Sequence, residues 1–324
     1  MKIGDLILEK CIGKGETGEI FLTSKIEDST KKYATKRIKK LPDPEKQSYI
    51  KKENEILNLL NNDKIIKMFE IRENNNFYFI VKEYCNGGSL KDCSDKYQEK
   101  YEKPFSLEII QYIMKQIVEC LTYIHSLNII HRDLKLKNIL VVFESEEDKK
   151  KLNMMNAKIK LNDFGYATKN SRELHKTIIG SSYNADPFIL SLLNDKNNAG
   201  YDEKADIWAL GTLCYQMLTG KSLFNVNNAK ELIKNYQKGI YTLPFNANKE
   251  IVDFIGSMLK FNCEERLSAE ELLKHPFLVK DIKDFEKINF NKIKEKIGKN
   301  GFNSNFLTNS LLFQINENIS NISD

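Results

Sequence analysis

His131-Arg132-Asp133-Leu134-Lys135-Leu136-Lys137-Asn138 is the stretch of the chain that decides its fold, and Asp163-Phe164-Gly165 follows it downstream. Either string alone is short enough to recur by chance. Here both stand in a fixed order behind a glycine-rich stretch at 13–20 and a lysine in a strand-like segment, Lys36. Because four separated elements occur in this order, they predict a single functional site.

Length and composition limit the class of protein. A chain of 324 residues exceeds the usual size of one hydrophobic core, which predicts two lobes or domains. The hydrophobic fraction of 41% and the charged fraction of 29% are typical of a soluble globular protein. A net charge of +5 is mild for this length, so no nucleic acid or other polyanionic partner is indicated.

The lack of a recognisable secretory signal, together with the scattered cysteines, predicts a cytoplasmic protein. Apolar runs such as 77–81 are too short to span a bilayer, and the N-terminus lacks the pattern of a secretory signal. The six cysteines are scattered and form no Cys-x-x-Cys pair, so neither a zinc site nor a disulfide framework is expected. A reducing compartment, the cytosol or the nucleus, is therefore the default expectation.

Hydrophobic periodicity changes along the chain from a β pattern to a helical pattern. In the first part, strands are predicted at 6–8, 20–22, 33–38 and 77–81, with a helix at about 50–60. After a glycine-rich break at 86–89, helices are predicted at 109–124, 206–218, 251–259 and 269–273. Ser268 is the expected N-cap of the last helix. A small β-rich part followed by a larger helical part is an α+β arrangement.

Two regions stand apart from this pattern. Residues 143–157 form a highly charged stretch between the two motifs, which predicts a solvated loop. Residues 281–324 are rich in Lys and Asn with scattered Phe and Ile, and we expect either a helix or a linker there.

The motifs resemble those of the eukaryotic serine/threonine protein kinase family. The strings at 131–138 and 163–165 match that family's catalytic loop and its Asp-Phe-Gly motif, and 13–20 matches its glycine-rich loop with Ile for Val. Taken alone, 13–20 is also compatible with a simple hairpin turn. A dinucleotide-binding loop would need a helix to follow, whereas 20–22 has the pattern of a strand.

The resemblance covers roughly residues 5 to 280 and implies both a fold and a chemistry. The fold is the two-lobed α+β kinase fold, with a β-rich N-lobe at 1–83 containing one key helix, a larger helical C-lobe at 84–280 and an extension at 281–324. The chemistry is transfer of the γ-phosphate of ATP, with Mg²⁺, to Ser or Thr hydroxyls of protein substrates.

The resemblance also implies roles for residues of the two motifs. Asp133 is the expected catalytic base, close to the acceptor hydroxyl, and Lys135 the expected contact of the γ-phosphate. Asn138 and Asp163 are the expected ligands of Mg²⁺, a hard cation that prefers oxygen.

A second group of residues holds the nucleotide in the family. Lys36 corresponds to the strand lysine that binds the α- and β-phosphates. Glu53 is its expected helix partner, with Glu55 as the alternative. The other predicted nucleotide contacts lie in the glycine-rich loop, the adenine pocket, the hinge and the ribose site: Ile12, Gly13, Lys14, Gly15, Gly18, Ile20, Ala34, Glu83, Cys85, Ser89 and Leu140.

Further residues support the site in the family. His131 and Phe164 are expected to build its buried core rather than to catalyse, and Asp206 is expected to anchor the backbone of the catalytic loop. Arg132 is a ready partner for a phosphate on Thr177, the predicted activation site. An upstream kinase, or a second copy of the protein acting in trans, would supply that phosphate.

One departure from the family pattern concerns a buried ion pair. Phe188 stands where the family has a glutamate that pairs with a buried arginine, here Arg266. An unpaired buried charge is costly. Another acid must therefore compensate, or Arg266 reaches solvent, or the segment is loosely held.

A second departure lies at the gatekeeper position, which is usually apolar and is here Lys82. A buried lysine is costly unless it is paired. We expect Lys82 to turn toward Glu53 or Asp163, where it would compete with Lys36.

Substrate choice and subfamily are less well marked. Lys137 replaces an acid that arginine-directed kinases use, and Ser89 is likewise neutral, so no strong preference for Arg before the acceptor is expected. The sequences at 83–90 and 177–181 resemble those of the autophagy-initiating kinases, and calcium-regulated and NIMA-related kinases share much of the same sequence.

A second interpretation keeps the fold without the catalysis: a kinase-shaped ATP-binding scaffold. Thr17 at the tip of the glycine-rich loop, Lys82 and Phe188 point in that direction. The intact set of motif residues favours the enzyme, and that set comprises Lys36, Asp133, Asn138 and Asp163.

Overall fold

The computed structural model describes residues 2–15, 18–40, 44–169, 186, 202–223 and 248–285. Thr17, Thr177, Phe188 and most of the predicted C-terminal extension lie outside the described residues. The chain divides into two compact units. The first unit comprises Met1–Cys93 and Lys137–Ala167, and the second comprises Ser94–Leu136 and Thr168–Asp324.

The first unit is built on an antiparallel sheet. Its strands are β1 (Lys2–Ile3), β2 (Leu6–Gly15), β3 (Gly18–Lys25), β4 (Lys32–Lys39), β5 (Met68–Glu73) and β6 (Phe77–Glu83). They pair in the order β1-β2-β3-β4-β6-β5. The four strands predicted for this part of the chain are confirmed, and β1 and β5 are two strands that were not predicted.

The helix α1 (Pro44–Leu57) packs against the 3₁₀ turn Phe164–Tyr166. Its buried side chains include Ile50, Glu53 and Ile56, because residues three apart share one face of a helix. This spacing places a glutamate in the middle of an apolar face. A charged side chain in such a position needs a partner inside the protein.

Short strands and further helices complete the described structure. The strands are β7 (Gly88–Ser89), β8 (Ile129–Ile130), β9 (Ile139–Phe143), β10 (Ala157–Leu161) and β11 (Thr168–Lys169). The helices are α2 (Leu90–Tyr101), α3 (Leu107–Ser126), α4 (Glu146–Lys151), α5 (Lys204–Thr219), α6 (Lys249–Met258), α7 (Ala269–Leu273) and α8 (Pro276–Val279).

The hairpin of β9 and β10 belongs to the first unit, where it pairs with β7 in a three-stranded sheet. The Leu161 N–H donates to the Lys64 carbonyl at 2.7 Å, and the Ile66 N–H donates to the Leu161 carbonyl at 2.9 Å. These bonds join the hairpin to the segment before β5. This division differs from the predicted boundary between 83 and 84, because the first unit extends to Cys93 and also includes 137–167.

The charged stretch that was predicted to be a solvated loop is folded. It contains α4 and a 3₁₀ turn at Met154–Asn156. The Ser145 hydroxyl caps α4 by accepting from the Asp148 N–H at 3.0 Å, and the Asp148 carboxylate accepts from the Asn153 side chain at 2.7 Å. No side chain of α4 is buried, so local hydrogen bonds hold this helix, whereas Met154 of the 3₁₀ turn is buried.

Helices dominate the described part of the second unit. The apolar stripe predicted for α3 is confirmed, since Ile110, Ile113, Ile117 and Leu121 are buried. The predicted N-cap Ser268 forms a capping box at the start of α7. Among the described helices, none is both long and apolar enough to cross a membrane. The predicted α+β class, with a β-rich unit and a larger helical unit, is confirmed.

Candidate active site

The backbone of the catalytic loop is held by the buried carboxylate of Asp206 in α5. The carboxylate accepts hydrogen bonds from the His131 N–H at 2.8 Å and the Arg132 N–H at 2.9 Å. Arg132 has φ of 69°, a left-handed conformation that persists in a non-glycine residue only when its surroundings enforce it. The predicted anchoring role of Asp206 is confirmed.

His125 is a further anchor of this loop that the sequence analysis missed. Its Nε2 lies 3.0 Å from the carboxylate of Asp206. Burial alone would raise the pKa of Asp206, but the hydrogen bond and charge of His125, with His131 nearby, lower it below its usual value. His125 lies in the last turn of α3 and belongs to no motif, so its sequence position does not mark this role.

Asp133 and Lys135, the predicted base and phosphate contact, form an ion pair. The Lys135 ammonium donates to both carboxylate oxygens of Asp133, at 2.9 and 2.7 Å. The Asp133 side chain is only 4% exposed, against 27% for Lys135. The Asp133 N–H donates to Nδ1 of the buried His131 at 3.3 Å, so His131 supports the loop as predicted.

Asn138 and Asp163, the predicted Mg²⁺ ligands, lie at the same end of the β9–β10 hairpin. Ile139 pairs with Leu161 at that end, and the Asn162 N–H donates to the Asn138 carbonyl at 2.8 Å. Asp163 has φ of 72°, so it also adopts the left-handed conformation that is uncommon for a non-glycine residue. A carboxylate and an amide oxygen fit a hard cation. Among the described residues no group of three or more His, Cys, Asp or Glu side chains forms a ready-made metal cage.

The predicted nucleotide contacts of the main sheet lie in two neighbouring rows. In one row Gly13 pairs with Ile20 and Ile20 with Lys36, and in the next row Ala34 pairs with Lys82. Residues that pair directly, or lie two apart on one strand, face the same side of a sheet. The register therefore brings Ile20, Lys36 and Ala34 onto one face.

Among contacts with the described residues, packing requires glycine at only one of the three positions Gly13, Gly15 and Gly18. A Cβ at Gly18 would lie 2.2 Å from the Arg37 carbonyl oxygen, so a larger residue would force β3 away from β4. A Cβ at Gly13 or Gly15 would meet the described atoms only at 3.6 Å or more, which is ordinary contact. Glycine at these two positions is thus not explained by contacts within the described residues.

Glu53 on α1 is paired with Lys82. The Lys82 ammonium donates to Glu53 Oε1 at 2.6 Å and to Asn162 Oδ1 at 3.1 Å. The two charged side chains are 9% and 1% exposed, for Lys82 and Glu53 respectively. Glu53 Oε2 is buried and accepts no hydrogen bond from the described residues. The expected turn of Lys82 toward Glu53 is therefore confirmed, and the pairing of Glu53 with Lys36 stays a prediction.

The predicted hinge residues are engaged in contacts of their own. Glu83 pairs with Lys160 at 3.0 Å, and burial raises the pKa of Cys85 to about 12, which keeps this thiol protonated. Ser89, predicted to contact the ribose, is buried, and its hydroxyl donates to the exposed Asp92 at 2.7 Å. Ser89 caps α2, because its hydroxyl oxygen accepts from the Asp92 N–H at 3.1 Å, and its contact with ribose stays a prediction.

The acid that compensates for Phe188 is Asp186. Its carboxylate accepts from both terminal nitrogens of Arg266, one of them at 2.8 Å. Arg266 is 1% exposed and also donates to the carbonyls of Lys204 and Lys260, at 2.9 and 2.8 Å. Of the three outcomes that the sequence left open, compensation by another acid is the one observed.

Comparison with known proteins gives consistent matches. Residues 6–278 match the family model of the protein kinase domain. The chain is 34% identical over 278 residues to calcium-dependent protein kinase 4 of Plasmodium berghei (strain Anka). It is 35% identical over 251 residues to the probable serine/threonine-protein kinase HSL1 of Saccharomyces cerevisiae, and 32% identical over 272 residues to the serine/threonine-protein kinase ULK1 of Homo sapiens.

These matches cover most of the chain but only part of each relative. They include 83%, 77% and 82% of the chain, and 48%, 15% and 24% of the respective relatives. The chain thus spans about half the length of the first relative and less of the other two.

Proposed function

The chain belongs to the serine/threonine protein kinase family, and from that premise we propose that it transfers the γ-phosphate of ATP to Ser or Thr hydroxyls of protein substrates. The observation that carries the proposal is the catalytic loop. Its backbone is fixed by Asp206, and it presents Asp133 in contact with Lys135. An ordered general base beside a cation is what an in-line phosphoryl transfer requires.

In the proposed reaction the acceptor oxygen forms a bond to the γ-phosphorus, and the bond from that phosphorus to the bridging oxygen of ADP breaks. Asp133 accepts the proton of the acceptor hydroxyl. Lys135 donates hydrogen bonds to the transferred phosphoryl group and offsets its negative charge.

Nucleotide binding is assigned to residues of the first unit. Lys36 would hold the α- and β-phosphates, and Asn138 and Asp163 would hold Mg²⁺, which supplies positive charge to the phosphates. Gly13 and Gly15 support this assignment, because contacts with the described residues do not require glycine there and the absence of a side chain lets backbone amides approach phosphate oxygens.

Two further proposals concern how the protein is regulated and where in the cell it acts. Phosphorylation of Thr177, by an upstream kinase or by a second copy of the chain, would supply a phosphate as a ligand for Arg132. We further propose that the protein acts in the cytoplasm. A relationship to the autophagy-initiating kinases is compatible with the match to ULK1, which shares 32% identity.

The alternative function is an ATP-binding scaffold without catalysis. The observation that favours it is the ion pair of Glu53 with Lys82, since the kinase pattern expects Lys36 in that place. If ATP binds but no phosphate is transferred, the scaffold is the better description.

The test is transfer of labelled phosphate from Mg²⁺-ATP to the protein itself and to a generic protein substrate. We expect transfer by the wild type and by Asp63→Asn, which alters an exposed aspartate, and loss of transfer in Asp133→Asn. ATP binding by all three proteins is measured separately by thermal shift. Equal transfer by Asp133→Asn and the wild type would refute the proposed role of Asp133.

A further inference from the structure

We propose that Lys82 is a positioning residue of the phosphoryl-transfer site, which holds α1 in place through Glu53 without the help of Lys36. The proposal rests on the proposed function for the role of Lys36 toward phosphate. Its evidence is the arrangement of three side chains within the first unit.

Lys82 connects three elements. It projects from β6, and its ammonium bonds to Glu53 of α1 at 2.6 Å and to Asn162 at 3.1 Å. Asn162 directly precedes the predicted metal ligand Asp163, and its N–H is bonded to the carbonyl of Asn138. One cation thus links the helix to the segment that carries both predicted Mg²⁺ ligands.

Burial makes this link obligatory. The Glu53 side chain is 1% exposed and the Lys82 side chain 9% exposed, so water cannot replace either partner. A buried carboxylate stays ionised only if a cation or donors compensate it. Because Lys82 supplies that cation, the charge balance of Glu53 does not depend on Lys36.

The sheet register explains how two lysines can serve different partners. Ala34 of β4 pairs with Lys82 of β6, and Lys36 lies two residues after Ala34 on β4. The two lysines are therefore diagonal neighbours on the same face of the sheet. Such neighbours lie about 7–8 Å apart. Lys82 is the one that occupies Glu53 Oε1, while the predicted role of Lys36 is toward the phosphates of the nucleotide.

Hydrogen exchange of the α1 amides, measured on the full chain without nucleotide, tests the proposal. Lys82→Met should speed exchange by roughly tenfold or more, because a buried charged hydrogen bond is lost. Lys36→Met should leave α1 exchange at the wild-type rate. Lys39→Met is the matched control, since Lys39 is an exposed lysine of β4.

A double replacement separates positioning from general damage. Adding Glu53→Gln to Lys82→Met removes the uncompensated charge and should return part of the α1 protection, because replacing both partners of a buried pair costs less than breaking it. In activity assays Lys82→Met should raise the KM for ATP, since Lys36 is then drawn to Glu53. Loss of packing alone would lower the active fraction, hence the apparent kcat, without changing KM.

Each outcome decides the proposal. Faster α1 exchange in Lys36→Met, or unchanged exchange in Lys82→Met, overturns it. If Lys82→Met does not fold, the Lys36→Met measurement alone still decides. Exchange is read on protein without nucleotide, so a negative phosphate-transfer assay would count against the proposed function and leave this proposal standing.

Discussion

Two buried ion pairs, one in each unit, take the place of contacts that the kinase pattern assigns to other residues, and they differ in how fully their polar atoms are satisfied. Arg266 uses all five of its N–H groups, on Asp186 and on three backbone carbonyls. Lys82 bonds to two acceptors, and its partner Glu53 keeps one buried oxygen without a hydrogen bond from the described residues.

The difference indicates different roles. Arg266 also stacks on Trp208 at 5.1 Å, so its position is fixed from every side and a structural role accounts for it. A buried oxygen without a bond is unfavourable by itself and leaves room for a further donor. The Lys82–Glu53 pair is therefore the less completely hydrogen-bonded of the two.

The largest expected effect is on the fully satisfied pair. Asp186→Ala leaves the buried Arg266 unpaired and should lower the free energy of unfolding by about 3–5 kcal/mol. Denaturant titration measures it, with Asp284→Ala, an exposed aspartate of the same unit, as control. Adding Phe188→Glu, which restores the family residue, should recover part of the loss. Equal stability of Asp186→Ala and the control would contradict a structural role for the pair.

Breaking the Lys82–Glu53 pair should lower the free energy of unfolding by less than breaking the Arg266–Asp186 pair. Lys82→Met should lower the free energy of unfolding by about 1–3 kcal/mol, because Lys36 on the same face can turn toward Glu53. The same titration applies, with Lys39→Met as control. A loss as large as that of Asp186→Ala would remove the distinction between the two pairs.

The anchor of the catalytic loop adds a pH-dependent case. The folded-state pKa of Asp206 lies below its unfolded value, so its ionised form stabilises the protein above the unfolded pKa. That contribution is lost as the pH falls through the folded-state pKa. Asp206→Asn should therefore be less stable than the wild type at neutral pH, and the difference should shrink below pH 3.8. A difference that stays constant to lower pH would refute the assigned ionisation.

The smallest effect on stability is expected in helix α4, none of whose side chains is buried. Ser145→Ala removes the cap of the exposed helix α4 and should cost about 1 kcal/mol of local stability, seen as faster amide exchange in α4. Phosphate transfer should be unchanged. If transfer falls as well, the charged insertion is coupled to catalysis and not merely self-supporting.

The catalytic loop could be predicted from the sequence because its residues are contiguous and match a family motif. The pairing of Lys82 could also be predicted, since a lysine at an apolar position must find a partner and Glu53 was one of two acids within the motif set. The sequence did not identify Asp186 as the partner of Arg266. An acid two residues before Phe188 has no family meaning until the chain brings it to Arg266.

Other misses have different physical causes. The strand β5 contains a short alternating run, Phe69-Glu70-Ile71-Arg72, and the prediction overlooked this signal. The helix α4 did carry signals: Ser145 before three acids and three lysines at the other end form an N-cap with favourable dipole charges. The high charge of this stretch led to the prediction of a loop, although acids at one end and lysines at the other favour a helix.

The most direct test of the account compares two double-mutant cycles on one carboxylate. Unfolding free energies are measured for Lys82→Met, Lys36→Met and Glu53→Gln, and for each lysine variant combined with Glu53→Gln. The account predicts a coupling of about 1 kcal/mol or more between Lys82 and Glu53, and a smaller one between Lys36 and Glu53. The reverse order of the two couplings would contradict it, because Lys36 would then be the residue that holds the helix.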